Sequence, residues 1–100
     1  MPRETSYRKY LLTINNPKEH GFDHALIRQN LEQLKGCIYW CLCDEVGEEG
    51  TPHTHIYAAF KNQVMFSTIK QRFYAAHIDA ARGSHSENRD YIRKEGNWRD

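Results

Sequence analysis

Two histidines separated by one residue, His53 and His55, are the side chains of this sequence best suited to metal binding or catalysis. Alternate side chains of a strand point to the same side, so the two rings would project together from Cα atoms roughly 6.5–7 Å apart. This spacing suits one metal ion held by two imidazoles. Glu45 precedes the loop that returns the chain to His53, and it could add an oxygen ligand. Such a site leaves coordination positions open for a substrate oxygen, which favours a catalytic centre that takes Mg, Mn or Zn.

Two other interpretations of the histidine pair stay open on spacing alone. The rings could be ordinary exposed strand side chains that bind nothing. Alternatively, Cys41 and Cys43 could join the histidines around zinc, although Cys-x-Cys lacks the usual spacing of a zinc knuckle.

A second pair, Tyr91 and Lys94, is spaced to share one face of a helix. A phenol with a pKa of about 10 is a poor nucleophile at neutral pH. A neighbouring ammonium favours the phenolate, and a metal makes a phosphorus more electrophilic. The plain alternative is that Tyr91 packs against a sheet while Lys94 is solvated.

The elements that would position these residues follow the order β-α-β-β-α-β, with one further helix. Runs of bulky residues predict strands at 10–14, 38–43, 53–60 and 77–79. Helices are predicted from a cap at Asp23 to Gly36, from a cap at Ser67 or Thr68 to Tyr74, and from the capping box Ser84-x-x-Glu87 to Gly96. The order predicts an α+β fold: a ferredoxin-like or RRM-like βαββαβ antiparallel sheet, with helices on one face, the other face open, and an added C-terminal helix.

Alternation divides the strand side chains between the two faces of the sheet. The apolar set is assigned to the core beneath the helices: Tyr10, Leu12, Ile14, Ile38, Trp40, Leu42, Ile56, Ala58 and Phe60. The opposite set would meet on the open face: Thr13, Asn15, Glu45, His53, His55 and Tyr57. The candidate metal ligands therefore converge on the face that a substrate can reach.

Composition narrows the class of protein. One hundred residues, 39% hydrophobic and 27% charged, fit one globular domain. A formal charge of +1 excludes a histone-like protein that binds DNA by bulk charge. No apolar run approaches the roughly 18 residues that span a bilayer, and the cysteines lack a CxxC pair. We therefore expect a soluble intracellular protein without a membrane partner.

Three segments in order resemble the replication-initiator endonuclease domain of the HUH superfamily. They are LTINNP at 12–17, GTPHTHIY at 50–57 and YIRKEG at 91–96. The similarity spans roughly residues 7–98. It is strongest to the Rep proteins of circular single-stranded-DNA viruses, circovirus- and nanovirus-like, and of related bacterial plasmids.

The resemblance implies metal-dependent nicking and joining of single-stranded DNA at a stem-loop replication origin, through a covalent 5′-phosphotyrosine that starts rolling-circle replication. Tyr91 would be the nucleophile, and Lys94 would act on the phosphate or on water. Glu45, His53 and His55 would hold a divalent ion, Mn or Mg. Thr13 and Asn15 would contribute to DNA recognition, and Arg82 would contact a phosphate. Asn16 and Tyr57 are also predicted to bind DNA.

Some features depart from the family pattern. Many circovirus-like members carry Gln where this chain has His55. The acidic ligand could instead be Asp44, Glu48 or Glu49, although alternation favours Glu45 over Asp44. A helicase domain usually follows, so we expect 1–100 to be one excised nuclease domain whose oligomerisation needs the helicase region. The expected location is the host nucleus for a eukaryotic virus and the cytoplasm for a bacterial plasmid.

Two rival functions fit parts of the pattern. One is a non-enzymatic single-strand-binding module of RRM-like fold, with Tyr39 and Tyr57 as stacking platforms. It explains an open face but not why two histidines and a glutamate meet there. The other is a metal-dependent phosphodiesterase that uses water, in which Tyr91 is dispensable.

Overall fold

The computed structural model describes residues 6–46, 50–93 and 97–99 of the chain. Within them the elements are β1 (Ser6–Asn15), a 3-10 turn (Pro17–His20), α1 (His24–Gln33), β2 (Cys37–Val46), β3 (Pro52–Met65), α2 (Phe66–Arg72), β4 (Ala76–Ala80), α3 (His85–Arg93) and β5 (Asn97–Arg99). The described strands form one sheet in the order β4-β1-β3-β2-β5, and every pairing is antiparallel. The predicted α+β, ferredoxin-like fold is confirmed. The 3-10 turn and β5 were not predicted.

Local signals explain where α1 begins but not where it ends. The Leu26 backbone N–H donates to the Asp23 side chain at 2.8 Å, so Asp23 is the predicted cap. The helix stops at Gln33 rather than at Gly36, because Leu34 already adopts an extended ψ of 120°. Leu34 is itself buried in the core, which fixes the point at which the chain turns toward β2.

The predicted start of α2 is wrong. The helix begins at Phe66, and its cap position is Met65, which makes no side-chain capping bond. The reason is that β3 continues to Met65, where Ser6 of β1 still pairs with it. The chain thus passes from strand to helix before it reaches Ser67 or Thr68.

The main core lies between one face of the sheet and the helices α1 and α2. The strands contribute side chains that alternation had assigned to it, such as Leu12, Leu42 and Ile56. Ile27 and Leu31 lie one helical turn apart on α1 and meet them, and Ile69 does the same from α2. Ile38 is an exception, since it is 61% exposed beside an irregularity in the register of β2 against β3.

The opposite face of the sheet, which was predicted to be open, is covered in part by α3 in the described residues. Cys41, Cys43, Tyr57 and Ala59 lie on this face and form a second buried cluster. The helix α3 packs against β2 and β3, the strands that carry these residues. An added helix across part of this face therefore buries residues that strand periodicity alone leaves exposed.

The capping box that was predicted to open α3 is confirmed. The Glu87 backbone N–H donates to Ser84 Oγ at 3.1 Å, and the Ser84 N–H donates to Glu87 Oε1 at 3.3 Å. The Lys9 ammonium also donates to the carbonyl of Gly83, which ties the start of α3 to β1. Gly96, the predicted end of the helix, lies outside the described residues. Among the described helices, none is long and apolar enough to cross a membrane.

Candidate metal centre

Two neighbouring strands, β2 and β3, bring the candidate ligands together at the end of the opposite face where the described side chains stay partly exposed, the uncovered end. In the register of the sheet, His53 of β3 lies between Glu45 of β2 and Asn15 of β1. Two residues further along β3, His55 lies between Cys43 of β2 and Thr13 of β1. Directly opposed residues of antiparallel strands share a face, so these side chains have to meet.

Glu45, His53 and His55 form a cluster that could hold a metal ion. Their ligand atoms all lie within 4.8 Å of one another. Glu45 Oε1 is 2.9 Å from His53 Nε2, and Glu45 Oε2 is 3.6 Å from His55 Nε2. The two imidazole rings are 4.8 Å apart and nearly perpendicular. The three side chains are 14–24% exposed, so they are partly desolvated and still within reach of solvent.

The donor set and the orientation of both rings fit a divalent ion. In each ring Nε2 faces the carboxylate, while Nδ1 faces an oxygen that can accept its proton. That oxygen is the Thr51 carbonyl for His53, at 3.3 Å, and Thr13 Oγ1 for His55, at 3.2 Å. Metal-binding histidines usually donate their second N–H in this way, which leaves the other nitrogen as the ligand. Two imidazoles and one carboxylate suit Mn or Zn with open positions, and they also accept Mg.

The other acidic residues considered as ligands lie elsewhere. Asp44 points away from the ligands, to the face of the sheet that carries the main core. There its Oδ1 accepts from Thr54 Oγ1 at 2.7 Å, and its Oδ2 lies 2.7 Å from His24 Nε2. This is the outcome that alternation favoured. Glu48 and Glu49 lie outside the described residues.

The cysteine alternative finds no support in the described part of the chain. The candidate cluster there contains neither Cys41 nor Cys43. Both are fully buried beside Tyr57 instead.

The expectation that Tyr57 contacts DNA is wrong. Its side chain has no exposed surface, and its ring lies 6.0 Å from that of Tyr39, next to the cysteines under α3. Burial, with a smaller contribution from the neighbouring Cys41, raises the pKa of the Tyr57 phenol to about 12. A fully buried ring cannot stack on a base, so the single-strand-binding module loses one of its two proposed platforms.

The remaining residues proposed to bind DNA lie at or near the uncovered end or on the surface. Asn15 is exposed and directly opposes His53. Asn16 is half-buried in a left-handed conformation with φ 50°, and its N–H donates to the Pro52 carbonyl at 2.8 Å. Thr13 is half-buried against His55, whereas Arg82 is exposed just before α3. Their role in DNA binding stays a prediction.

The proposed nucleophile lies on α3, although its side chain is not among those the structure describes. After this helix the chain rejoins the sheet at Asn97, which pairs with Asp44, the residue next to Glu45. The backbone of Tyr91 therefore lies in the half of α3 that leads toward the candidate metal centre. Lys94 lies outside the described residues.

Sequence reasoning missed the polar support around the ligands. Alternation put Thr13 on the right face, but nothing in the sequence paired its hydroxyl with His55. The Thr51 carbonyl and the His24–Asp44–Thr54 contacts likewise left no sequence signal, because they depend on strand register and on where α1 meets the sheet.

Comparison with known proteins gives one consistent set of matches. A family model described as "Putative viral replication protein" matches residues 7–95. The replication-associated protein of Pigeon circovirus is 35% identical over 104 residues, covering 96% of this chain and 29% of that protein. That of Beak and feather disease virus is 33% identical, covering 89% of this chain and 29% of that protein. The master replication protein of Banana bunchy top virus is 29% identical, covering 86% and 27%. The chain thus spans about three tenths of the length of these curated relatives.

Proposed function

Because the chain belongs to the family of viral replication proteins, we propose that it nicks and rejoins single-stranded DNA at a replication origin and so initiates rolling-circle replication. The matches to circovirus and banana bunchy top virus proteins confirm the Rep resemblance that three sequence motifs indicated. The nicking chemistry, the metal requirement and the stem-loop form of the origin belong to the proposal.

One observation carries the proposal: Glu45, His53 and His55 converge at the uncovered end of the sheet. The helix that bears Tyr91 crosses the same face and leads toward that end. A binding module that lacks chemistry needs neither a carboxylate between two imidazoles nor ring nitrogens held in a ligand orientation. The arrangement therefore favours an enzyme over the binding-only alternative.

Glu45, His53 and His55 would hold the divalent ion, Mn or Mg. When bound, the ion would supply Lewis-acid stabilisation of the charge that develops on the scissile phosphate. The residues around it have positioning work to do. Glu45 places one carboxylate oxygen near each ring, and the Thr51 carbonyl contacts Nδ1 of His53 and so orients that ring.

Tyr91 would carry out the covalent step. Its Oη forms a bond to phosphorus while the bond from phosphorus to the 3′ oxygen breaks. The phenol releases its proton to solvent, and the leaving oxygen takes up a proton to become a 3′-OH. The 5′-phosphotyrosine is itself a phosphodiester, so a later 3′-OH can reverse the step and rejoin the strand. Lys94, three residues further along, would act on the phosphate or on water.

The test is covalent capture of DNA. The protein is mixed with Mn²⁺ and a pool of partly randomised single strands labelled at the 3′ end, since the 3′ fragment is the one that stays attached. A denaturing gel and intact mass then report the adduct. We expect an adduct with the natural chain and none with Tyr91→Phe. The matched control is Tyr74→Phe, which alters an exposed tyrosine on the far side of the core and should keep the adduct.

Three results would contradict the proposal. An adduct formed equally by Tyr91→Phe would remove Tyr91 as nucleophile. Cleavage by Tyr91→Phe without any adduct would favour the water-using phosphodiesterase. Binding that is insensitive to EDTA, with neither adduct nor cleavage in any variant, would favour the non-enzymatic module.

A further inference from the structure

We infer that Thr13 is a positioning residue of the metal centre: its hydroxyl accepts the Nδ1 proton of His55 and keeps Nε2 of that ring directed at Glu45. The inference rests on the proposed metal-dependent function. It gives Thr13 a task different from the DNA contact that the family resemblance implied.

The hydroxyl is where this task requires it. Thr13 Oγ1 lies 3.2 Å from His55 Nδ1, and Nε2 on the other side of the ring lies 3.6 Å from Glu45 Oε2. Thr13 directly opposes His55 in the register of β1 and β3. Both side chains are partly buried, so bulk water competes less for this hydrogen bond than it would at an exposed site.

Thr13 is also held rigidly. Strand β1 lies inside the sheet, and Thr13 pairs with His55 on one side and with His77 of β4 on the other. The adjacent residues Leu12 and Ile14 point into the main core and are at most 1% exposed. A β-branched side chain has few χ1 choices, so a fixed backbone here fixes the direction of the hydroxyl.

The chemistry requires such a partner. A neutral imidazole carries one proton, and ligation through Nε2 places that proton on Nδ1. An acceptor at Nδ1 favours this tautomer, orients the ring and raises the basicity of the ligand nitrogen. His53 obtains the same help from the Thr51 backbone carbonyl, which no side-chain substitution removes. At His55 the partner is a side chain and can be tested directly.

The experiment compares Thr13→Val, Thr13→Ser and Thr54→Val in the full chain. Valine keeps the shape of threonine and deletes the hydroxyl, whereas serine keeps the hydroxyl. Thr54→Val is the matched control. Thr54 lies between the two histidines in sequence, but its hydroxyl donates to Asp44 on the core face of the sheet, away from the metal ligands. Calorimetry with Mn²⁺ alone gives the affinity. Imidazole ¹⁵N shifts in the Zn²⁺-loaded protein report the tautomer of His55 without reference to activity.

We expect Thr13→Val to weaken Mn²⁺ binding by about tenfold, as loss of other outer partners of ligating histidines does. Thr13→Ser should recover most of that loss, and Thr54→Val should bind Mn²⁺ as the natural chain does. The ¹⁵N spectra should show His55 protonated on Nδ1 in the natural chain and in Thr13→Ser. In Thr13→Val the signal of that proton should broaden through exchange with water.

Three results would overturn the inference. Equal Mn²⁺ affinity in Thr13→Val and the natural chain would do so, and a fall in DNA binding alone would then return Thr13 to the DNA contacts. An equal loss in Thr54→Val would mean that general weakening of the sheet is responsible. Absence of Mn²⁺ binding in the natural chain would overturn the proposed metal centre as well, which distinguishes that failure from the first two.

Discussion

Replacing Thr54 with valine should destabilise the protein by about 1–2 kcal/mol, because it removes a hydrogen bond to a carboxylate from a buried position. Thr54 is 1% exposed, and its Oγ1 donates to Asp44 Oδ1 at 2.7 Å. A hydrogen bond to a charged group contributes about 1.5–3 kcal/mol. The methyl group that replaces the hydroxyl offsets roughly 0.8 kcal/mol by burial of apolar surface.

The hydrogen bond from Thr54 to Asp44 should contribute an amount in the lower part of the range of about 1.5–3 kcal/mol, for a structural reason. The Asp44 side chain is 43% exposed and keeps its 2.7 Å contact with His24, so water and the imidazole can take over part of the lost bond. The melting temperature should fall by about 4–8 °C for each kcal/mol in a domain of this size. Urea denaturation of the two proteins measures the difference in free energy of unfolding directly.

A double-mutant cycle with Asp44→Ala separates the hydrogen bond from other effects of the substitution. The contact of Asp44 with His24 is lost in both Asp44 variants, so it cancels, and the cycle reports the Thr54–Asp44 pair. We expect a coupling of about 1–2 kcal/mol. Effects that add within about 0.5 kcal/mol, or a Thr54→Val protein as stable as the natural chain, would refute the reasoning.

Three further predictions concern the metal centre, α3 and alkaline pH. Mn²⁺ at 100 times its Kd should stabilise the natural chain by about 2.7 kcal/mol, and Glu45→Gln should lose most of this gain in thermal melts; an equal gain would exclude the carboxylate as a ligand. Ser84→Ala should cost about 1 kcal/mol and speed hydrogen exchange in the first turn of α3, since it removes the bond to the Glu87 N–H; unchanged exchange would count against the cap. The raised pKa of Tyr57 means that its phenol ionises first in the unfolded chain. The stability that the neutral phenol contributes should therefore be present below about pH 10 and lost as the pH rises to about 12. The free energy of unfolding of Tyr57→Phe should fall less steeply over this range than that of the natural chain, and an equal fall would contradict the prediction.

Local rules account for the parts of this protein that were predictable. Alternation along β2 placed Glu45 and Asp44 on opposite faces, and the structure keeps them there. Capping chemistry located the starts of α1 and α3 at Asp23 and Ser84. Each of these depends on residues within a few positions of one another, so no knowledge of the fold is required.

The errors arise where distant segments meet. Ile38 follows the apolar alternation and is nevertheless exposed, because the register of β2 against β3 shifts beside it. Ser67 and Thr68 carry capping side chains but lie inside a helix whose start is set by the length of β3. Tyr57 belongs to the same face as His53 and His55 and is buried, because α3 covers its part of that face.

The sequence by itself determined which side chains share a face, and therefore that Glu45, His53 and His55 could meet. Strand alternation is a local geometric property and needs only the identity of the strands. Only the tertiary structure decided which part of that face remains accessible and which partner each ring receives. Both depend on register and on the path of α3, which are set by contacts between residues far apart in the chain. For this reason Thr13, 42 residues from His55, became a candidate partner only once β1 lay beside β3.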